Sequence, residues 1–279
     1  MKQRIQWNVS MLLLVSLFLI LAGCGGGNGG SSSNNGAEGG GETAALEAIK
    51  ERGKLIVGVK NDTKLFGLKN TATGDIEGFD VDVAKAIAKH VLGDESKVEF
   101  KEVTSKTRIP LLQNGEIDMI VATMTITEER KQQVDFSEVY FEAGQSLLVR
   151  TDSPITGIDA LDASTKVLAV KGSTSTKNIR EKAPDATVLE FENYQDAFNA
   201  LKANKGDALT TDNAILLGMQ QQDPSFHLVG GNFTDEPYGI AVKKGNADLL
   251  QAVNDTLTEL HSSGEYDTLY EQWFGTKPE

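Results

Sequence analysis

The sequence predicts an α/β fold with mainly parallel strand pairing, on three observations. Short β-rich runs alternate with helical patterns from about residue 42 to the end, the pattern of strand–helix–strand units. Apolar residues make up 39% of the 279 residues, enough for a sizeable core. No segment repeats at a fixed period of roughly 20–50 residues.

The chain opens with basic Lys2 and Arg4, followed at residues 11–22 by an apolar run broken only by Ser16. That run is shorter than the roughly 20 residues that span a bilayer and fits the core of a secretory signal. It ends in Leu21-Ala22-Gly23-Cys24, which resembles a lipobox. There a bacterial lipoprotein is cut before the cysteine and its thiol is diacylated. Residues 1–23 are therefore expected to be a signal peptide, and Cys24 to carry the lipid. An ordinary signal peptide with a chance cysteine is the competing reading. Residues 24–42, almost all Gly, Ser and Asn, cannot bury a core and are expected to form a flexible tether. Cys24 is the single cysteine, so no intramolecular disulfide is expected.

The folded part begins with LIVGV at 55–59, a strand. Residues 79–92 place apolar side chains at 79, 83, 84, 87 and 91, the stripe of an amphipathic helix. Residues 97–103 alternate as a strand, 108–115 form a short helix beginning near Pro110, and 119–122 form a buried strand. A helix is expected over 127–133, with Thr125 and Glu128 in capping-box spacing. Further strands are expected at 146–149, 167–170, 188–191 and 208–209. Helices are expected at 176–182, 194–203, 213–219, 247–261 and 266–274.

The formal net charge is −13, which repels phosphate backbones and argues against nucleic-acid binding. His90, His227 and His261 lie far apart, with no metal-ligand spacing. No cofactor or metal is expected. Three strand-to-helix corners could carry chemistry. The first is ATMTITEER at 122–130, where a helix start suits an anion and Arg130 could reach a carboxylate bidentately. A capped helix with a surface arginine fits as well. The second is VKGSTSTK at 170–177, small and hydroxyl-rich but without the spacing of a phosphate loop. The third is GDALTTDN at 206–213, where Asp212 caps a helix or holds an ammonium group.

In this order these segments resemble the extracellular amino-acid-binding proteins of polar amino-acid ABC importers, solute-binding family 3. The matching stretches are GFDVD at 78–82, TRIPLLQNGEID at 107–118, residues 122–130, VDFS at 134–137 and AVKGS at 169–173. Residues 207–212, YGIA at 238–241, GEYD at 264–267 and Trp273-Phe274 complete the set. The resemblance covers residues 43–279 and implies a periplasmic-binding-protein-like fold: two α/β lobes joined by two crossing strands, with the ligand between them. Lobe one would be 43–139 with 239–279, lobe two 145–234, and the hinge 140–144 with 235–238.

The resemblance also implies roles. Arg130 would grip the ligand α-carboxylate, helped by Thr125 and by Ser173, Thr174, Ser175 and Thr176. Asp212 would take the α-ammonium, assisted by the backbone near Thr123. Phe79 would pack on the aliphatic part, with Phe66, Lys171 and Tyr238 also at the cleft. Lys60 and Arg108 put positive charge where the ligand side chain would point. This favours glutamate over glutamine, with aspartate a further candidate, although both cations could also donate to an amide oxygen. The implied partners are the free amino acid, an ABC permease and, through the lipid anchor, the outer face of a Gram-positive membrane, with the protein a monomer. Two other classes stand beside this one. An enzyme of the same fold, such as a dehydratase of cyclic acids, lacks a suggested nucleophile–base pair here, and no fused catalytic domain is expected. A surface adhesin is compatible with transport, whereas a sensor ectodomain would need a further membrane segment.

Overall fold

The computed structural model describes residues 44–278; the signal peptide, Cys24 and the tether lie outside the described residues. Helix α1 (Ala44–Arg52) leads into β1 (Leu55–Val59), and a small antiparallel sheet follows, made of β2 (Asp62–Thr63), β3 (Gly67–Lys69) and β4 (Ile76–Glu77). Helix α2 (Phe79–Leu92) buries the stripe expected of it, Phe79, Val83, Ala84, Ile87 and Val91, and stops at Gly93, whose φ of 73° is the left-handed conformation favoured at a helix end. Then come β5 (Val98–Glu102), α3 (Arg108–Gln113), β6 (Met119–Ile120), the single turn α4 (Glu128–Lys131) and β7 (Val134–Phe141).

The chain crosses into a second unit of β8 (Gln145–Arg150), β9 (Lys166–Val170), α5 (Thr174–Lys182), β10 (Thr187–Phe191), α6 (Tyr194–Lys202), β11 (Ala208–Asp212), α7 (Asn213–Gln222) and β12 (Phe226–Val229). It returns through β13 (Tyr238–Lys243) and ends in α8 (Ala247–Ser263) and α9 (Glu265–Phe274).

The two lobes carry five-stranded sheets, ordered β5-β1-β6-β13-β7 and β10-β9-β11-β8-β12. Pairing is mixed rather than mainly parallel, a correction to the sequence-based expectation. β1 runs parallel to β5 and β6, and β9 to β10 and β11, but β13 is antiparallel to β6 and β7, and β8 to β11 and β12. The reason is connectivity. β7 and β8 carry the chain out of the first lobe, and β12 and β13 carry it back, so these strands cannot all follow the direction of the strand–helix–strand units.

The crossings bond to each other: the Glu236 N–H donates to the Ala143 carbonyl at 2.7 Å and the Phe233 N–H to the Gln145 carbonyl at 2.9 Å. Beside them an aromatic cluster fastens the hairpin, α2, the crossings and α9 together. Phe66 meets Phe141 at 5.1 Å and Tyr238 at 5.9 Å between ring centroids, and Phe79 meets Phe274 at 5.5 Å. Such edge and offset contacts stabilise beyond the area they bury.

A second correction concerns the expected helix over 127–133. Only one turn forms, and its cap is Thr127, whose Oγ1 accepts the Arg130 N–H at 3.2 Å. Thr125 does not cap, because it is extended in a bridge to Tyr238 and its carbonyl is taken by Arg130.

Candidate functional site

Where β6 ends, the backbone of the first lobe turns sharply. Thr123 has φ +45°, unusual for a β-branched residue and a form of stored strain. Asp80, buried on α2, holds it there: Oδ2 accepts the Thr123 N–H at 2.9 Å and Oδ1 accepts the Tyr140 hydroxyl at 2.7 Å. Burial raises Asp80 to about 7, against the pull of those two bonds.

The same corner collects three cations. Arg108, 2% exposed, donates from Nη1 to the carbonyls of Ala122 at 2.6 Å and Thr123 at 3.2 Å. Arg130 donates from Nη1 to the Thr125 carbonyl at 2.7 Å and from Nη2 to the Gly172 carbonyl of the second lobe at 3.1 Å. Lys60, at the end of β1, donates from Nζ to Ser105 Oγ at 3.0 Å, and burial brings it down to about 7. Burial, and for Arg108 also the neighbouring Arg130, pulls both guanidinium groups downward; a guanidinium nevertheless keeps its proton at neutral pH.

Facing them, β11 delivers Asp212 as the residue before α7. Its Oδ2 accepts the Tyr238 hydroxyl at 2.6 Å. Burial first, and the nearby Glu236 carboxylate second, raise Asp212 to about 7. The N-terminus of α5 supplies hydroxyls. Thr174 Oγ1 lies 3.5 Å from Thr125 Oγ1 and donates to Glu236 Oε2 at 2.7 Å. Ser173 and Thr176 each donate at 2.7 Å to the Val170 carbonyl, and Ser175 donates to Thr211 Oγ1 at 3.5 Å.

Native interiors leave few polar atoms unpaired. Among the described residues the buried side-chain atoms without a partner are Arg108 Nε, Thr123 Oγ1, Asp212 Oδ1 and His227 Nδ1. The first three belong to this interlobe cleft. None of the ion pairs among the described residues includes Lys60, Asp80, Arg108, Arg130 or Asp212. Guanidinium groups without acids on one wall and a carboxylate without a base on the other suit a small molecule bearing both charges. Among the described residues no group of three or more His, Cys, Asp or Glu could hold a metal.

The structure thus brings Lys60, Arg108, Thr123, Thr125, Arg130, Thr174, Asp212 and Tyr238 together, with Ser173, Ser175 and Thr176 shaping the facing loop. It does not bring Lys171 to them, since Lys171 pairs with Glu192 at the surface. Phe79, fully buried, sits within the aromatic cluster, its ring flanked by Phe66, Tyr140 and Tyr266. Sequence reasoning missed Asp80, Tyr194 and Glu236. Glu236 lies on the returning crossing and accepts from Thr174, Thr234 and Asn178; in the sequence it is marked only as an acid directly before Pro237.

The family model for bacterial extracellular solute-binding proteins, family 3, matches residues 55–276. The chain is 59% identical over 273 residues to the ABC transporter glutamine-binding protein GlnH of Bacillus subtilis (strain 168), covering 97% of this chain and 98% of that one. It is 55% identical to the glutamine-binding protein of Geobacillus stearothermophilus, covering 92% and 100%. Among solved structures, an ancestral arginine-binding protein bound to glutamine matches with a TM-score of 0.75 and 46% identity, over 80% of this chain and 99% of that one.

Proposed function

The chain belongs to the bacterial extracellular solute-binding proteins of family 3, and from that premise we propose that it captures free glutamine outside the cytoplasm and presents it to the permease of an ABC importer. The observation that carries this is the interlobe charge arrangement, with Arg130 and Arg108 free of acids and Asp212 Oδ1 free of any donor. A free amino acid neutralises both ends at once. Burying either charge alone would cost several kcal/mol. Arg130 takes the α-carboxylate, with Thr125 and Thr174 beside it; Asp212 takes the α-ammonium.

Glutamine is preferred here over glutamate. The relatives at 59% and 55% identity are named for glutamine, whereas the charges of Lys60 and Arg108 by themselves favour glutamate. The Lys60 environment accommodates the change. Its Nζ already donates to Ser105 Oγ at 3.0 Å, and its remaining N–H groups are donors that an amide oxygen accepts as readily as a carboxylate does. Lobe one, read as 43–139 with 239–279, and lobe two, read as 145–234, close by bending at 140–144 and 235–238, the hinge motion of such binders. No chemical step is assigned to the cleft, and prephenate-like acids are expected to pass unchanged. Cys24 carries the lipid that holds the protein at the outer membrane face, and Cys24→Ala should release it to the medium.

Calorimetric titration with glutamine tests the assignment. Arg130→Ala should cost roughly 2–5 kcal/mol of binding, as when a buried charged partner is left unpaired. Binding near the wild-type value in that variant rejects it.

A further inference from the structure

Two contacts between the lobes converge on Tyr194, a residue to which the ligand reading gives no task. Tyr194 opens α6 in the second lobe and is 3% exposed. The ammonium of Lys60 stands over its ring, Nζ 5.0 Å from the centroid. Its backbone N–H donates to Asp62 Oδ2 at 2.7 Å. Lys60 and Asp62 both belong to the first lobe, at the end of β1 and in β2. Asp62 is itself steadied by Thr63, whose Oγ1 donates to Oδ1 at 2.9 Å. The Tyr194 phenol oxygen accepts from Thr211 Oγ1 at 3.2 Å, and Thr211 precedes the cleft carboxylate Asp212. One side chain of the second lobe therefore links the Lys60 ammonium to the strand end that carries Asp212.

Lysine is a point charge on a flexible four-carbon stem. Within the first lobe its hydrogen-bond partner is Ser105, which fixes one direction. A ring face attracts an ammonium most strongly where water is excluded, and this ring arrives only with the second lobe. The Asp62 carboxylate complements the partial positive charge at the start of α6 and sets where the ring lands.

Resting on the amino-acid-binding reading, we propose that Tyr194 is a specificity-determining positioning residue: on closure its ring fixes Lys60 at the side-chain end of the cleft, so that amino acids with basic side chains are refused. A glutamine amide accepts a bond from that ammonium. An arginine or lysine side chain meets it and Arg108 as like charges, and the lobes fail to shut. Rejection of a wrong ligand by a placed repulsive group is a general route to specificity.

The test is titration of glutamine and arginine against the wild type, Tyr194→Phe and Tyr194→Leu. Tyr194→Phe, which keeps the ring, should hold the preference for glutamine to within about threefold, and Tyr194→Leu should narrow it by roughly tenfold or more. Equal loss of affinity for both ligands in Tyr194→Leu, or the same narrowing in Tyr194→Phe, overturns the proposal. Should the leucine variant not fold, Tyr194→Met carries the same comparison. A second measurement needs no ligand: the distance between spin labels at Lys89 and Lys182 in a Cys24→Ala background. Asp62→Ala should shift its distribution to longer values, and an unchanged distribution overturns the role given to the Asp62 contact. A wild type that binds no amino acid sinks the function reading, while the distance measurement still decides the contact.

Discussion

The hydroxyl of Tyr238 donates to Oδ2 of Asp212 at 2.6 Å, while Oδ1 of the same buried carboxylate has no partner. Tyr238 begins the strand that returns to the first lobe, and Asp212 ends a strand of the second. The bond fixes the carboxylate across the cleft and points one charged oxygen at whatever enters. Two measurable consequences concern its proton.

An ammonium ligand needs Asp212 ionised, and burial together with Glu236 raises the group to about 7. Glutamine affinity should therefore fall as pH drops below that value, approaching about tenfold per pH unit, with a proton released on binding. Titration in buffers of differing ionisation enthalpy reads that proton. Glu236→Gln removes the neighbouring charge and should move the decline to lower pH. Affinity that stays flat through the acid range argues against the Asp212 role.

Stability of the ligand-free protein should carry the same signature. Asp80 and Asp212 have folded values near 7 against 3.8 ordinarily. Between those values the folded state holds protons that the unfolded chain has released, so their contribution is full below the lower value and is lost as pH rises through the upper one. Lys60, lowered from 10.5 to about 7, acts in the opposite sense, its contribution lost as pH falls through about 7. Thermal melts should show a midpoint that declines from mildly acidic to neutral pH, with a shallower decline in Asp212→Asn. Parallel profiles for the two proteins would contradict the burial of an unpaired carboxylate.

Closure can be blocked without touching the ligand. Gly218 lies in α7, and a Cβ there would stand 2.7 Å from the Lys64 carbonyl of the first lobe. In a helix interior alanine is favoured over glycine by about 1 kcal/mol. Gly218→Ala should thus leave the ligand-free melting temperature unchanged or raised, yet weaken glutamine binding by roughly tenfold, the penalty of overpacking a tight contact. Undiminished affinity would mean that the contact yields or is not part of the bound form.

The regular parts of this fold were open to reading because their signals are local. The stripe of Phe79, Val83, Ala84, Ile87 and Val91 needs one helical face, and α2 spans the expected residues 79–92. β7, β12 and β13 escaped because FHLV is only four residues long, while the acids of VDFSEVYF and the glycine of YGIAVK blur the apolar run, and with them went the antiparallel half of each sheet. In the cleft, Arg130 and Asp212 were legible as charged residues at strand-to-helix corners. Asp80 was not, since GFDVD holds two acids and spacing does not say which one turns inward; Asp82 instead accepts from Trp273 Nε1 at 2.9 Å near the surface. Lys171 misled because it stands just past the end of β9, where the chain leaves the buried sheet and turns outward. Val170 takes the buried side and Lys171 the outer one. Tyr194 could not be found locally at all, because its partners Lys60 and Asp62 are brought to it only by the meeting of two lobes.

Calorimetric titration of glutamine beside N-acetylglutamine and glutamine methyl ester asks most directly whether the cleft clamps both ends of one zwitterion. Blocking the ammonium removes the partner of Asp212, and blocking the carboxylate removes that of Arg130. Each analogue should bind weaker than glutamine by about 2–5 kcal/mol, the cost of leaving a buried charge unpaired. An analogue that binds as well as glutamine would contradict the account.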